Sequence, residues 1–286
     1  MSAQEGRLVT SEDGTTIWAG DAGNKNGIPV VFIHGLSCTS TVFDLQFSDP
    51  KLLENLYLIR YELRGHGRSG YPATPEAYSG QRYAEDFMAV CKSFGLVKPF
   101  VCGWSLGALT PVDVAETFGP DQIAGVIYPG GPALTLELHA KYIHPTLQTL
   151  FGTAMSSDGN VLPEAANKFV DSVLYDPSIV PYGPRLQALA GFLIQPPSIR
   201  LLTVSRKVES GRWLKEFTSK PHLLVQGRED QHSVTEKLIP VAKETIPGIE
   251  IHVLEKVGHA VPIEGAAKLN ELLLEFVQRH KKAWKA

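Results

Sequence analysis

Short apolar runs recur along the chain, each closed by a turn rich in glycine or charge, with amphipathic stretches between them. The first pair, Arg7-Leu8-Val9-Thr10 and Thr15-Thr16-Ile17-Trp18, flanks Asp13-Gly14, a dipeptide suited to the positive φ of a tight turn, and predicts a β-hairpin. Ile28-Pro29-Val30-Val31-Phe32-Ile33, Leu56-Tyr57-Leu58-Ile59-Arg60-Tyr61, Pro99-Phe100-Val101-Cys102 and Ile123-Ala124-Gly125-Val126-Ile127-Tyr128 are apolar without strict alternation, as strands buried on both faces should be. Residues 81–94 set Tyr83, Phe87, Val90 and Cys91 at helical spacing, and a second helix is predicted over 108–118. This alternation is the signature of a mostly parallel sheet covered by helices on both faces.

The rhythm breaks over 133–217, where the periodicity is helical and Pro163, Pro177, Pro181, Pro184 and Pro196-Pro197 separate the pieces. It resumes with a strand at 222–226, a helix over 234–245, a strand at 250–254 and an amphipathic helix over 266–279. The expected architecture is therefore α/β, a single core domain made of 1–132 and 218–286 that is interrupted by a helical lid over 133–217.

Composition changes this picture little. With 43% hydrophobic and 20% charged residues in 286, the chain has material for one sizeable core. A net charge of −3 recruits no nucleic acid, and Arg279-His280-Lys281-Lys282 reads as a solvated helix end whose cations suit the helix dipole. Cys38, Cys91 and Cys102 are an odd number without metal-ligand spacing, so neither a disulfide scaffold nor a metal site is expected, and a reducing compartment fits. No stretch approaches the roughly 18 continuous apolar residues of a membrane span, and MSAQEGRLVTSEDG lacks the apolar core of a signal peptide. A cytoplasmic protein is expected.

The chemistry enters at Gly103-Trp104-Ser105-Leu106-Gly107, which follows a buried strand and precedes a helix. That context suits a nucleophile elbow, in which a serine sits on a strained strand-to-helix turn with its hydroxyl projecting from the sheet edge. A serine needs a base to take its proton and an acid to orient that base. Asp230 closes Gly227-Arg228-Glu229-Asp230 after one late strand, and His259 lies in Val257-Gly258-His259-Ala260 after the last.

With serine, acid and histidine in this order, the chain resembles the α/β-hydrolase superfamily over almost its whole length. The resemblance is carried by His34-Gly35-Leu36, Arg64-Gly65-His66-Gly67-x-Ser69, Gly103-x-Ser105-x-Gly107, Gly227-x-x-Asp230 and Gly258-His259. It implies Ser105 as nucleophile, His259 as general base, Asp230 as orienting acid, and backbone N–H groups of Leu36 and Leu106 as the oxyanion hole. Serine at the elbow disfavours the aspartate chemistry of the family's epoxide hydrolases. Glu62 stands where the family often carries aspartate, in a loop taken as structural.

Glu229 competes with Asp230 as the acid. His232 reads as a surface loop residue, and His139 and His144 as exposed or packing residues of the lid. His34 supports the oxyanion loop and, with Trp104, is a candidate lining of the substrate pocket. The expected activity is hydrolysis of an ester, lactone or thioester of a small to medium apolar substrate, without metal or organic cofactor, by a protein that a homodimer would also suit. Carbon–carbon bond hydrolysis, perhydrolysis or lyase chemistry on the same triad is the nearest alternative, and a non-catalytic small-molecule receptor is the alternative from another class.

Overall fold

In the computed structural model, residues 6–131 and 135–285 are described. The boundary expected between 132 and 133 lies outside them. The hairpin forms as predicted, with β1 (Gly6–Thr10) and β2 (Thr16–Gly23) joined through Gly14 at φ 84°. The further strands are β3 (Ile28–Ile33), β4 (Leu56–Tyr61), β5 (Phe100–Gly103), β6 (Gly125–Pro129), β7 (His222–Gly227) and β8 (Glu250–Leu254). They make one eight-stranded sheet in the order β1-β2-β4-β3-β5-β6-β7-β8, antiparallel at β1, β2 and β4 and parallel from β4 onward.

Helices occupy the intervals. In chain order they are α1 (Pro50–Asn55), α2 (Gly80–Phe94), α3 (Thr110–Phe118), α4 (Leu136–His139), α5 (Pro145–Ala154), α6 (Leu162–Ser172), α7 (Tyr182–Ile194), α8 (Pro197–Ser205), α9 (Thr235–Thr245), α10 (Val261–Glu264), α11 (Ala266–Arg279) and α12 (Lys281–Lys285). The uninterrupted apolar runs bury both faces of the sheet. Val31 and Ile33 of β3 pack with Phe87 of α2, Val112 of α3 and Leu238 of α9, whereas their neighbours Val30 and Phe32 pack with Leu52 of α1 and Leu269 of α11.

Apart from a single bridge between Ile143 and Ser233, the described residues between β6 and β7 form helices and turns. Leu147, Ala154, Ala166, Phe169 and Phe192 make a small core of their own there, against which Leu36 also packs. Trp213 and Phe217, inside the stretch read as lid, instead bury in the main core beside His222.

Short pieces between the main elements escaped the sequence pattern. The helix expected over 108–118 begins as a 3-10 turn at Ser105–Leu109 before α3 takes over, and α1 is capped by Asp49, whose side chain accepts from the N–H groups of Lys51 and Leu52. The parallel arrangement brings the carboxyl ends of β3, β5, β6, β7 and β8 to one edge, where open α/β sheets place their ligands.

Candidate active site

Ser105 comes directly off β5 through Trp104 and adopts φ 52°, a left-handed conformation that L-residues avoid. The flanking glycines make this turn sterically possible. A Cβ on Gly103 would stand 2.8 Å from Gly107 O, and one on Gly107 would collide with the carbonyl of Ile33. Ser105 and Leu106 are half-buried. The Leu106 N–H lies at the start of the 3-10 turn, where amides lack an intrahelical acceptor. Gly35 brings the loop after β3 against the serine, since a Cβ there would sit 3.2 Å from Ser105 Cβ. The donors expected at Leu36 and Leu106 thus belong to segments that meet at Ser105.

Asp230 turns inward after β7 and its carboxylate receives four donors. The N–H groups of His232 and Ser233 donate to Oδ1 at 2.6 and 3.0 Å, and Gln226 Nε2 donates to Oδ2 at 2.8 Å. His259 Nδ1 lies 2.9 Å from the same Oδ2. Burial would raise the Asp230 pKa, but the neighbouring His259 and these hydrogen bonds outweigh it and hold the carboxyl well below the usual carboxylate range. An ionised Asp230 makes His259 Nδ1 the donor, which leaves Nε2 as the acceptor. Nε2 is buried and has no hydrogen-bond partner, so the Ser105 hydroxyl does not reach it in this conformation. Resting hydrogen bonds of this kind often tighten only when substrate is bound.

Trp104 ties the serine side of the site to the histidine side. Its indole N–H donates to His259 O at 2.9 Å and its ring lies 5.7 Å from that of His259. With Trp104 buried in the core, and His34 buried with its Nε2 accepting from the Leu63 N–H at 3.1 Å, both residues read as pocket lining are engaged from within the protein. Glu229 accepts from the Val257 N–H at 3.0 Å, so of the two adjacent acids only Asp230 holds the histidine. His144 accepts from the Thr146 N–H at the start of α5, and His139 packs edge-on against Tyr142.

His232 departs from expectation. Read as a surface residue, it is 4% exposed and stacks on His259 with ring centroids 4.3 Å apart. The Ser172 hydroxyl donates to Phe169 O and therefore accepts from His232 Nε2 at 2.9 Å. Phe169 of α6 packs on the His232 ring as well. Tethering of the loop to Asp230 through its own N–H drives this burial. The only sequence cue was its place two residues after an aspartate, where such local turns form.

Sequence reasoning also missed Glu264. Its carboxylate accepts from the N–H groups of Gly258, Tyr175 and Asp176, at 2.9 to 3.4 Å, and binds the His259 loop to the turn after α6. Glu62 is buried as a structural acceptor for Arg68 and Ser40. A cleft of about 630 Å³ lined by Met88, Val97, Lys98 and Trp284 lies at the opposite ends of the strands and touches none of these groups.

Comparison with known proteins is consistent with this geometry. A family model described as the alpha/beta hydrolase family matches residues 30–272. A Burkholderia cenocepacia protein provisionally described as an aryl esterase is 29% identical with a TM-score of 0.87, covering 97% of this chain and 100% of that one. The dihydrolipoyllysine-residue acetyltransferase component of the acetoin cleaving system of Pseudomonas putida is 22% identical over 91% of this chain, which spans 66% of that relative's length. A Mycobacterium bovis relative is matched over 14% of its length. A 2-hydroxy-6-oxononadienedioate/2-hydroxy-6-oxononatrienedioate hydrolase from Pseudomonas sp is 23% identical over 95% of each chain.

Proposed function

This chain belongs to the alpha/beta hydrolase family, and from that premise we propose that it is a serine-dependent carboxylic ester hydrolase. The observation that carries the reading is Ser105 at φ 52° on its elbow, next to a Trp104 whose indole N–H binds the backbone of His259, the histidine that Asp230 holds in the tautomer of a general base. Ser105 Oγ attacks the ester carbonyl as His259 Nε2 takes its proton, and the N–H groups of Leu36 and Leu106 receive the charge that develops on the carbonyl oxygen. Collapse expels the alcohol, protonated by His259. Water, deprotonated by the same nitrogen, then releases the acid and restores Ser105. An unpaired buried Nε2 is costly in a structural histidine and is what a base requires.

Residues 133–217 act as the lid. Support comes from Leu36, which packs into that segment's small core, and from Gly191 of α7, where a Cβ would come within 3.0 Å of Ser37 O. The apolar cluster of Phe169 and Phe192, which Leu36 joins beside the expected oxyanion donor, supports a small to medium apolar substrate, with no metal or organic cofactor in the mechanism.

Steady-state kinetics on phenyl acetate, a γ-lactone and a vinylogous 1,5-diketone test the reading. The ester should be turned over by wild type and not by Ser105→Ala. A preference for the diketone by orders of magnitude would make carbon–carbon cleavage the activity. Tight binding of such compounds without turnover would make the protein a receptor.

A further inference from the structure

Ser37, next to the expected oxyanion donor Leu36, has φ 55°. A non-glycine residue keeps that conformation where its surroundings over-determine it. The Ser37 hydroxyl donates to Gln195 Oε1 at 2.8 Å and accepts from Arg200 Nε at 2.9 Å. Gln195 Nε2 in turn donates to Gly65 O and to His66 Nε2, each at 3.0 Å. His66 Nδ1 lies 3.0 Å from Arg64 O, so its proton sits there and Nε2 is free to accept. One assignment of protons satisfies the whole chain of contacts, and Ser37, His66, Gln195 and Arg200 are all buried.

Arg200 is a cation without a carboxylate. Among the described residues it makes no ion pair, and three more of its N–H groups donate to the carbonyls of Ala154, Phe192 and Gln195 at 2.5 to 3.1 Å. Its guanidinium lies 3.8 Å from the centre of the Phe192 ring. Burial pushes its pKa down to about 10, which leaves it charged at neutral pH. An apolar residue would fill this space at a lower desolvation cost. What the guanidinium adds is geometry: a rigid fork gathers the end of α5, the end of α7 and the turn before α8 onto the hydroxyl of Ser37.

We propose that Arg200 is a positioning residue, which through Ser37 holds the 36–37 backbone in the conformation that presents the Leu36 N–H to the reacting oxygen. This rests on the acyl-transfer reading of Ser105. Arg200 touches no substrate in it, and the predicted signature is a loss in turnover with little change in substrate binding.

The test compares wild type, Arg200→Met, Arg200→Lys, Ser37→Ala and the Ser37→Ala/Arg200→Met double variant on phenyl acetate. Each is also titrated with a trifluoromethyl ketone, which forms a tetrahedral adduct on an activated serine. Arg200→Met should lower kcat roughly a hundredfold, as small misplacements of catalytic groups do, with KM within about threefold of wild type and ketone affinity falling in step with kcat/KM. Ser37→Ala should lose turnover in the same way, and the double variant should be no worse than Arg200→Met alone. Arg200→Lys, which keeps the charge but not the fork, should recover only part of the loss. If Arg200→Met fails to fold, as judged by circular dichroism, Ser37→Ala carries the same expectation with one oxygen removed.

Variants with kcat within twofold of an active wild type would overturn the proposal and leave the ester-hydrolase reading standing, as would a rise in KM at unchanged kcat. A wild type that neither turns over the ester nor binds the ketone would overturn the acyl-transfer reading, and the role of Arg200 with it.

Discussion

At the scale of single residues, the site depends on a few atoms that no neighbour can replace. Ser105→Ala should leave circular dichroism and melting temperature near wild type while lowering kcat/KM on the order of a million-fold. Asp230→Asn should cost about ten-thousand-fold, because the amide can no longer hold the Nδ1–H tautomer of His259; a variant within tenfold of wild type would show that Asp230 does not orient the base. Gly107→Ala places a Cβ against the Ile33 carbonyl, so the elbow must open. That variant should lose activity and melt several degrees lower. The strained turn at Ser105 and the contact between Asp230 and His259 were legible because the chemistry proposed for them demands particular residue types at the ends of recognisable strands. The roles of His232, Glu264, Gln195 and Arg200 were not, because each also depends on a partner distant in sequence, Ser172, Tyr175, Gly65 and Ser37 respectively, and no spacing rule announces a tertiary hydrogen bond.

At the scale of elements, strands were easier to read than the pieces that join them. Runs such as Val30-Val31-Phe32-Ile33 and Leu223-Leu224-Val225 are apolar at every position because each face of the sheet meets helices, and that leaves a plain trace in the sequence. The 3-10 start of the helix after Ser105 leaves none, since it is imposed by the elbow rather than by propensity. The segment between β6 and β7 announced its helices but not its division of labour, in which Phe169 and Phe192 make a local core while Trp213 and Phe217 pack into the main one. Glu264 is the fastening between that segment and the His259 loop. Glu264→Ala removes the acceptor of three backbone N–H groups. Faster amide exchange over 173–176 and quicker proteolysis in that turn are expected, with the sheet strands unchanged; exchange at the wild-type rate would show that the carboxylate fastens nothing.

At the scale of the whole molecule, buried neutral histidines set the response to acid. Burial lowers the pKa of His34, His66 and His232, and brings that of His222 from 6.5 to about 4. The unfolded chain takes up protons below pH 6.5 that these folded imidazoles refuse. Stability should therefore be constant with respect to these groups above about pH 6.5 and fall as pH drops below it, and for His222 the fall continues towards pH 4 at about 1.4 kcal/mol per pH unit. Denaturant titrations at pH 7.5, 6 and 5 should show the decline, and His222→Gln should flatten it by about one proton's worth. An unchanged slope in that variant would contradict the assignment. The sheet edge and the order of motifs along the chain made the overall architecture readable in advance; strand order was not, because local pattern says nothing about which buried strand lies beside which.

The central claim is that Ser105 is an activated nucleophile. Intact-mass analysis after exposure to a fluorophosphonate, which captures activated serines whatever their substrate, tests it most directly in wild type and Ser105→Ala. A single phosphonyl adduct on the wild type that is absent from the variant is the predicted result. Folded wild type that stays unlabelled, or equal labelling of both proteins, would contradict the claim.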